Sequence, residues 1–293
     1  MAQVWKCSGL RWSPAGPALV WDGGRRSALP WGKRVGFAVP EGSVRQCVGA
    51  RGHACPTRAA VPARSRGARC EECARLDRAH SVAADTIADD PRPYRVYLAW
   101  FGPAMVKVGI TAVERGSARL LEQGAVCFSW LGTGPLMAAR RTEELLRAAL
   151  QVPDRIPYAE KRAVRSALPG TGEERAAQVR ELHARAVALS GWPGSLRPEP
   201  CEVVDHTGVF GLDAVSPALG EVVELVPGGR VSGELVAAAG PDLHLAVGGR
   251  AVVVLDTRLM TGWELVSVSP DDAVAAGLTF PLREFTRPQE GLF

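Results

Sequence analysis

Between Tyr94 and Leu150 the hydrophobic period changes repeatedly, and this succession restricts the chain more than any other feature. Tyr94-Arg-Val-Tyr97-Leu-Ala-Trp-Phe101 and Val106–Thr111 are short runs rich in β-branched and aromatic residues, separated by Gly102-Pro103. Such a pair reads as a β-hairpin. From Val113 to Gln123 the apolar positions Val113, Ala118, Leu120 and Leu121 leave Arg115, Arg119 and Glu122 elsewhere on the surface, which suits a helix. Gly124 is its stop signal. Ala125–Leu131 reads as a third strand and Ala138–Leu150 as a helix, with Leu145, Leu146, Ala149 and Leu150 at core-facing spacing. A further helix is expected over Tyr158–Leu168, and another from Glu173 to Leu189. The order is strand, strand, helix, strand, helix.

That order, on these residues, resembles the GIY-YIG nuclease superfamily over residues 94–150. The first motif falls on Arg95-Val96-Tyr97 and the second on Lys107-Val108-Gly109, with Thr111 two residues beyond the glycine. The superfamily's helix arginine matches Arg119, with Arg115 as second choice, and its metal-binding glutamate matches Glu143, with Glu144 beside it. Three departures stand out. The glycine of the first motif is Arg95, the tyrosine of the second is Lys107, and no histidine follows Arg119 where many members carry one. The wider chain, with cysteines before this core and the run Arg119-Leu-Leu-Glu-Gln-Gly-Ala125 inside it, looks like a bacterial family known as a numbered domain of unknown function. That wider resemblance implies no activity.

The nuclease resemblance implies one divalent cation, magnesium, on Glu143, which suits a site with one protein carboxylate because magnesium keeps most of its waters. Arg119 would stabilise charge on the non-bridging phosphate oxygens. Tyr97 would orient or deprotonate water. Lys107 stands in the second tyrosine's place, where an amine can donate to phosphate or, with a pKa lowered by burial, act as a base.

The flanks are β-like. Val4–Trp12, Ala18–Trp21 and Arg34–Val39 precede the core, broken by turns such as Asp22-Gly23-Gly24, and Trp5, Trp12, Trp21 and Trp31 crowd this segment as candidates for a small-sheet core. After Trp192-Pro193-Gly194 come Glu202–Val204, Glu221–Val226, Arg230–Ala237, His244–Val247, Ala251–Asp256 and Trp263–Val268, with turns at Pro227-Gly228-Gly229, Gly240-Pro241-Asp242 and Gly248-Gly249, a spacing that suits a small barrel or sandwich. The fold class expected is α+β: an N-terminal β segment (1–46), a cysteine- and arginine-rich loop and linker (47–93), the central α/β domain (94–195) and a C-terminal β-rich domain (196–293).

Seven cysteines in a chain with no secretory signal and no apolar run near the ~20 residues of a membrane span indicate a reduced, cytoplasmic setting. Cys47-x7-Cys55-x14-Cys70-x2-Cys73, with His53 two residues before Cys55, then reads as a zinc site. Cys70 and Cys73 form a knuckle; Cys47 and Cys55 are too far apart for a second one, so the remaining positions fall to Cys47 and either Cys55 or His53. A closed site of this kind holds a loop together and does no chemistry. Residues 51–78 carry seven arginines (Arg51, Arg58, Arg64, Arg66, Arg69, Arg75, Arg78) against Glu71, Glu72 and Asp77, or +4, equal to the net charge of the whole chain. Such a loop suits a DNA or RNA backbone, or is a solvated surface in an arginine-biased composition with only four lysines, Lys6, Lys33, Lys107 and Lys161. Three classes remain: a metal-dependent nuclease, a nucleic-acid-binding protein without catalysis, and an accessory protein whose β regions bind a protein partner.

Overall fold

The computed structural model describes residues 3–78, 90–213, 215–249, 251–268 and 277–285. In chain order the strands are β1 (Val4–Ser13), β2 (Gly16–Trp21), β3 (Arg26–Ala28), β4 (Arg34–Ala38), β5 (Pro93–Trp100), β6 (Val106–Ala112), β7 (Cys127–Pro135), β8 (Arg197–Pro198), β9 (Val204–Asp205), β10 (Ala218–Val222), β11 (Arg230–Ala239), β12 (Asp242–Val247), β13 (Ala251–Asp256), β14 (Glu264–Ser267) and β15 (Leu282–Glu284). The helices are α1 (Glu71–Arg78), α2 (Ala118–Gln123), α3 (Leu136–Leu150), α4 (Tyr158–Val164), α5 (Gly172–Val187) and α6 (Thr207–Phe210). The chain is mixed α and β with more strand than helix, as an α+β class requires. Among the described residues no helix is long and apolar enough to cross a membrane.

Two units divide the chain. The first is assembled from Met1–Arg11, Gly16–Ala79 and Ser216–Phe293. Its strands form one sheet in the order β15-β10-β13-β12-β11-β4-β14-β1-β2-β3. The N-terminal and C-terminal β regions, expected as separate domains, are therefore one: β4 pairs with β11 on one side and β14 on the other, and β14 pairs with β1. Turn residues announce hairpins between neighbours, but pairing between strands some two hundred residues apart leaves no local mark. Of the four N-terminal tryptophans, Trp12 is buried, whereas Trp31 is exposed.

The second unit comprises Trp12–Ala15 and His80–Val215. It is built on β6-β5-β7-β8, with β9 also paired to β7. All its pairings are antiparallel. The first strand of the hairpin is thus central, flanked by β6 and β7, and Val96, Leu98 and Trp100 are fully or almost fully buried. The succession expected over 94–150 is present, with two adjustments. The helix expected from Val113 to Gln123 is split: Val113–Arg115 is a single 3-10 turn closed at Gly116 (φ 48°), and only Ala118–Gln123 is α-helical. Gly124 ends it at φ 72°, its N–H capping the carbonyls of Leu120 and Leu121. The buried stripe of α3 is Leu136, Ala138, Ala139, Thr142 and Leu146; of the expected set only Leu146 is fully buried, and Ala149 is exposed. The helix α5 begins at a capping box, Thr171 and Glu174 exchanging side-chain and backbone bonds.

Candidate functional site

Two side-chain constellations stand out, one in each unit. In the first unit, Cys47, Cys55, Cys70 and Cys73 bring their sulfurs within 4.8 Å of one another. The wide Cys47–Cys55 spacing is taken up by a tight turn in which Ala50 and His53 exchange backbone bonds at 3.0 and 2.9 Å, doubling the chain back. Gly49, at φ 79°, is required there because a Cβ would collide with the His53 carbonyl. His53 lies exposed on that turn, outside the cluster, so the alternative between His53 and Cys55 resolves to Cys55. On the other side, Cys70 precedes α1 and Cys73 lies in its first turn.

Backbone N–H groups of Gly49 and Cys70 donate to Cys47 Sγ at 3.3 and 3.2 Å, the pattern that stabilises a thiolate. The Thr57 hydroxyl, with backbone amides, holds the Cys55 thiol down to about 6, while burial pushes Cys73 up to about 12. A tetrahedral zinc with ~2.3 Å bonds to sulfur needs sulfurs about 3.8 Å apart, so the cluster fits a metal such as zinc with a small contraction. A metal held there would have all four tetrahedral positions filled by protein, the arrangement of structural rather than catalytic sites.

The cluster is tied to its sheet by a residue the motif reading did not single out. Arg45 is 1% exposed. Its Nε donates to Thr261 O, Nη1 to the carbonyls of Pro62, Ala63 and Ser65, and Nη2 to Arg258 O. Three of these carbonyls belong to the cysteine loop and two to the segment after β13. The loop's own arginines are less free than their count suggests. Arg64 pairs with Glu224, Arg66 with Asp256 at 2.9 Å, and Arg69 with Asp77. Arg51 and Arg58 are exposed, both with left-handed backbone (φ 54° and 46°), and have no ion-pair partner among the described residues.

In the second unit, Tyr97 on β5 lies opposite Gly109 on β6, and Ala99 opposite Lys107, so these side chains share one face. The phenol of Tyr97 extends across Gly109, where a Cβ would fall 2.5 Å from Cζ. Position 109 therefore has room only for glycine while the Tyr97 ring lies over it. Tyr97 is 2% exposed and accepts a hydrogen bond at its hydroxyl from Gln123 Nε2 at 2.9 Å. Lys107 is also buried, its Nζ donating to Asp154 O at 3.1 Å and lying 5.8 Å from the Tyr97 ring centre.

From α2 and α3 come Arg119 and Glu143, each close enough to act electrostatically on both Tyr97 and Lys107. Burial, then the Arg119 charge, pulls Lys107 down to about 8. Burial, then Asp154, raises the Glu143 carboxyl, while Lys107 opposes the rise. Burial raises Tyr97 as well, against the Gln123 donor and Arg119. Glu143 borders the buried stripe of α3 between Thr142 and Leu146, whereas Glu144 is exposed, as the ~100° per-residue rotation of a helix dictates. Arg115 and Arg119 both approach Glu122, at 2.6 and 3.9 Å. Arg95 has turned from the hairpin to the other edge, stacking on Trp130 and pairing with Glu199.

Of the residues named from sequence, Tyr97 and Lys107 share one face of the hairpin, and the charges of Arg119 and Glu143 act on both. Gln123 and Asp154 join them and were missed. The spacing of Gln123, four residues after Arg119 and therefore on the same helix face, was the available signal.

A profile of the family DUF2797, described as a protein of unknown function, matches residues 32–265. The match spans most of the sequence, and the chain belongs to this family. No curated protein and no solved structure matches it.

Proposed function

We propose that this member of DUF2797 acts on nucleic acid through a GIY-YIG-like site on the β5–β6 hairpin, as a divalent-metal-dependent phosphodiester hydrolase with a structural zinc in its cysteine cluster. The observation that carries the reading is that Tyr97 and Lys107 share one face of the β5–β6 hairpin, with Lys107 Nζ 5.8 Å from the phenol ring, where the charges of Arg119 and Glu143 act on both. Arg119, held near Glu122 and 46% exposed at its side chain, supplies a cation to the phosphate's non-bridging oxygens. Lys107, with its pKa near 8, donates to phosphate while charged and offers a neutral amine to a proton in mildly alkaline solution. The Glu143 carboxylate, a hard oxygen donor, feels the Asp154 charge, and a cation held at Glu143 would relieve that repulsion, which suits magnesium. When bound, that ion supplies Lewis-acid stabilisation of the departing oxygen. Arg51 and Arg58, exposed and without an ion-pair partner among the described residues, are loop positions that could meet a DNA or RNA backbone.

A second reading is favoured by one observation. The Tyr97 hydroxyl is enclosed and already bonded by Gln123, so a scaffold that binds nucleic acid without cutting it would look the same. Binding comes first in both readings. Labelled single-stranded and duplex DNA and RNA should bind with steep salt dependence, and Arg119→Ala or Lys107→Met should each flatten the log–log salt slope by about one. Absence of binding at low salt would reject both readings and leave the accessory class.

A further inference from the structure

The Tyr97 phenol is enclosed on three sides. The Gly109 backbone lies beneath it, the indole of Trp130 meets it edge-on at 6.3 Å and 79°, and the Gln123 amide meets its oxygen. Gln123 is itself held. It is buried at the last turn of α2, its carbonyl accepts from Lys161 Nζ at 3.2 Å, and the preceding carbonyl of Glu122 accepts from the Tyr158 hydroxyl at 3.4 Å. The Lys161 ammonium that makes this contact sits over the Phe101 ring at 3.8 Å, so α4 and the hairpin together clamp the end of α2. The amide is therefore presented to Tyr97 by a fixed backbone.

We infer that Gln123 is the positioning residue of this site: its N–H fills an acceptor position on the Tyr97 oxygen and sets the phenol's orientation, so that the hydroxyl's own proton stays available to an acceptor other than Gln123. This rests on the phosphodiester-directed reading of the site for its purpose, though not for its geometry. An amide turned the other way would consume the hydroxyl proton itself and leave the phenol no donor. With Gln123 donating, the oxygen is also a better stabilised anion, since a hydrogen bond to the charged form favours it.

The test uses the full chain labelled with 3-fluorotyrosine and followed by fluorine NMR. The chain has three tyrosines, so three resonances are expected, and Tyr97→Phe assigns the one of interest. Fluorination acidifies the phenol and brings its titration towards a pH at which the fold survives. The Tyr97 midpoint should rise in Gln123→Met, which loses the donor, and rise further in Gln123→Glu, which replaces it with a negative acceptor. The Tyr94 resonance, whose hydroxyl bonds to Asp90, should stay in place and report that both variants are folded. A Tyr97 midpoint unchanged in the two folded variants overturns the inference. So does a midpoint that falls in Gln123→Glu. If the wild type cleaves nucleic acid, the pH–rate profile of Gln123→Met should move with the midpoint while KM holds. If the midpoints move as described and the wild type does not cleave, the positioning role stands and the hydrolase reading fails.

Discussion

Replacing Arg45 by methionine removes the bond between the cysteine loop and its sheet while keeping a side chain of similar length. Five carbonyls, of Pro62, Ala63, Ser65, Arg258 and Thr261, lose their donor, at distances of 2.5 to 3.2 Å in the native protein. A buried acceptor left unsatisfied costs on the order of 1 kcal/mol or more, giving about 5 kcal/mol in sum. Against this stands relief from burying a guanidinium, whose cost is visible in a pKa pulled down to about 10 by burial; that offset of about 3 kcal/mol leaves a net loss of about 2 kcal/mol. For a chain of this size such a loss lowers Tm by roughly 4–8 °C. Calorimetry should show it in the transition that carries the first unit. Metal release to a chromophoric chelator should accelerate in parallel, because the loop that holds Cys47 and Cys55 is no longer anchored. Arg45→Lys keeps the charge but places all three donors on one nitrogen, so it should recover less than half of the loss. A Tm within a degree or two of wild type in Arg45→Met would refute the account of this residue as the loop's anchor.

The remaining expectations are simpler. Protein purified without chelators should carry about one zinc per chain, and Cys70→Ser should lose it by elemental analysis, with release of protons when zinc is returned to the stripped wild type; retention of zinc by Cys70→Ser would exclude the four-sulfur site. Lys107 has a folded pKa of about 8 against an ordinary value of 10.5, so the unfolded chain binds more protons between those limits and stability should rise with pH across that window. The gap corresponds to about 3 kcal/mol. Lys107→Met should therefore be more stable than wild type in denaturant titrations at pH 7, by less than that figure because the bond to Asp154 is lost too, and the advantage should vanish by about pH 10.5. An advantage that does not change with pH would show that burial of the charge is not its source.

Much of this fold was legible in the sequence. Gly102-Pro103, Gly240-Pro241 and Gly248-Gly249 are chemically specific turn signals, and the strands on either side of each were located to within a residue or two. Gly124 marked the end of α2 because a left-handed residue was needed there. What was not legible depended on distant partners. Nothing around Arg34–Ala38 announces that its neighbours will be β11 and β14. At Gly116-Ser117 a local break outweighed a continuous apolar period, and the expected long helix became a 3-10 turn and a short helix. The Cys47–Cys55 spacing looked irregular because a backbone turn at Ala50–His53, invisible in ligand spacing, draws the two together. The roles of Arg45 and Gln123 were hidden for a related reason: one contacts only backbone carbonyls far along the chain, and the other meets a hydroxyl on a different element.

The central claim concerns the hairpin site, and one substitution tests it most directly. Glu143→Gln removes the carboxylate charge at constant shape, on a half-buried residue that borders the buried stripe of α3. Magnesium-dependent cleavage of labelled DNA and RNA should be followed for wild type and variant, with binding measured on the same samples at the same salt. The account predicts cleavage by the wild type, a fall in rate by a factor on the order of 100 or more in Glu143→Gln, and affinity for nucleic acid changed little. Cleavage that survives Glu143→Gln, or a wild type that binds tightly and cuts with no divalent cation, would contradict it.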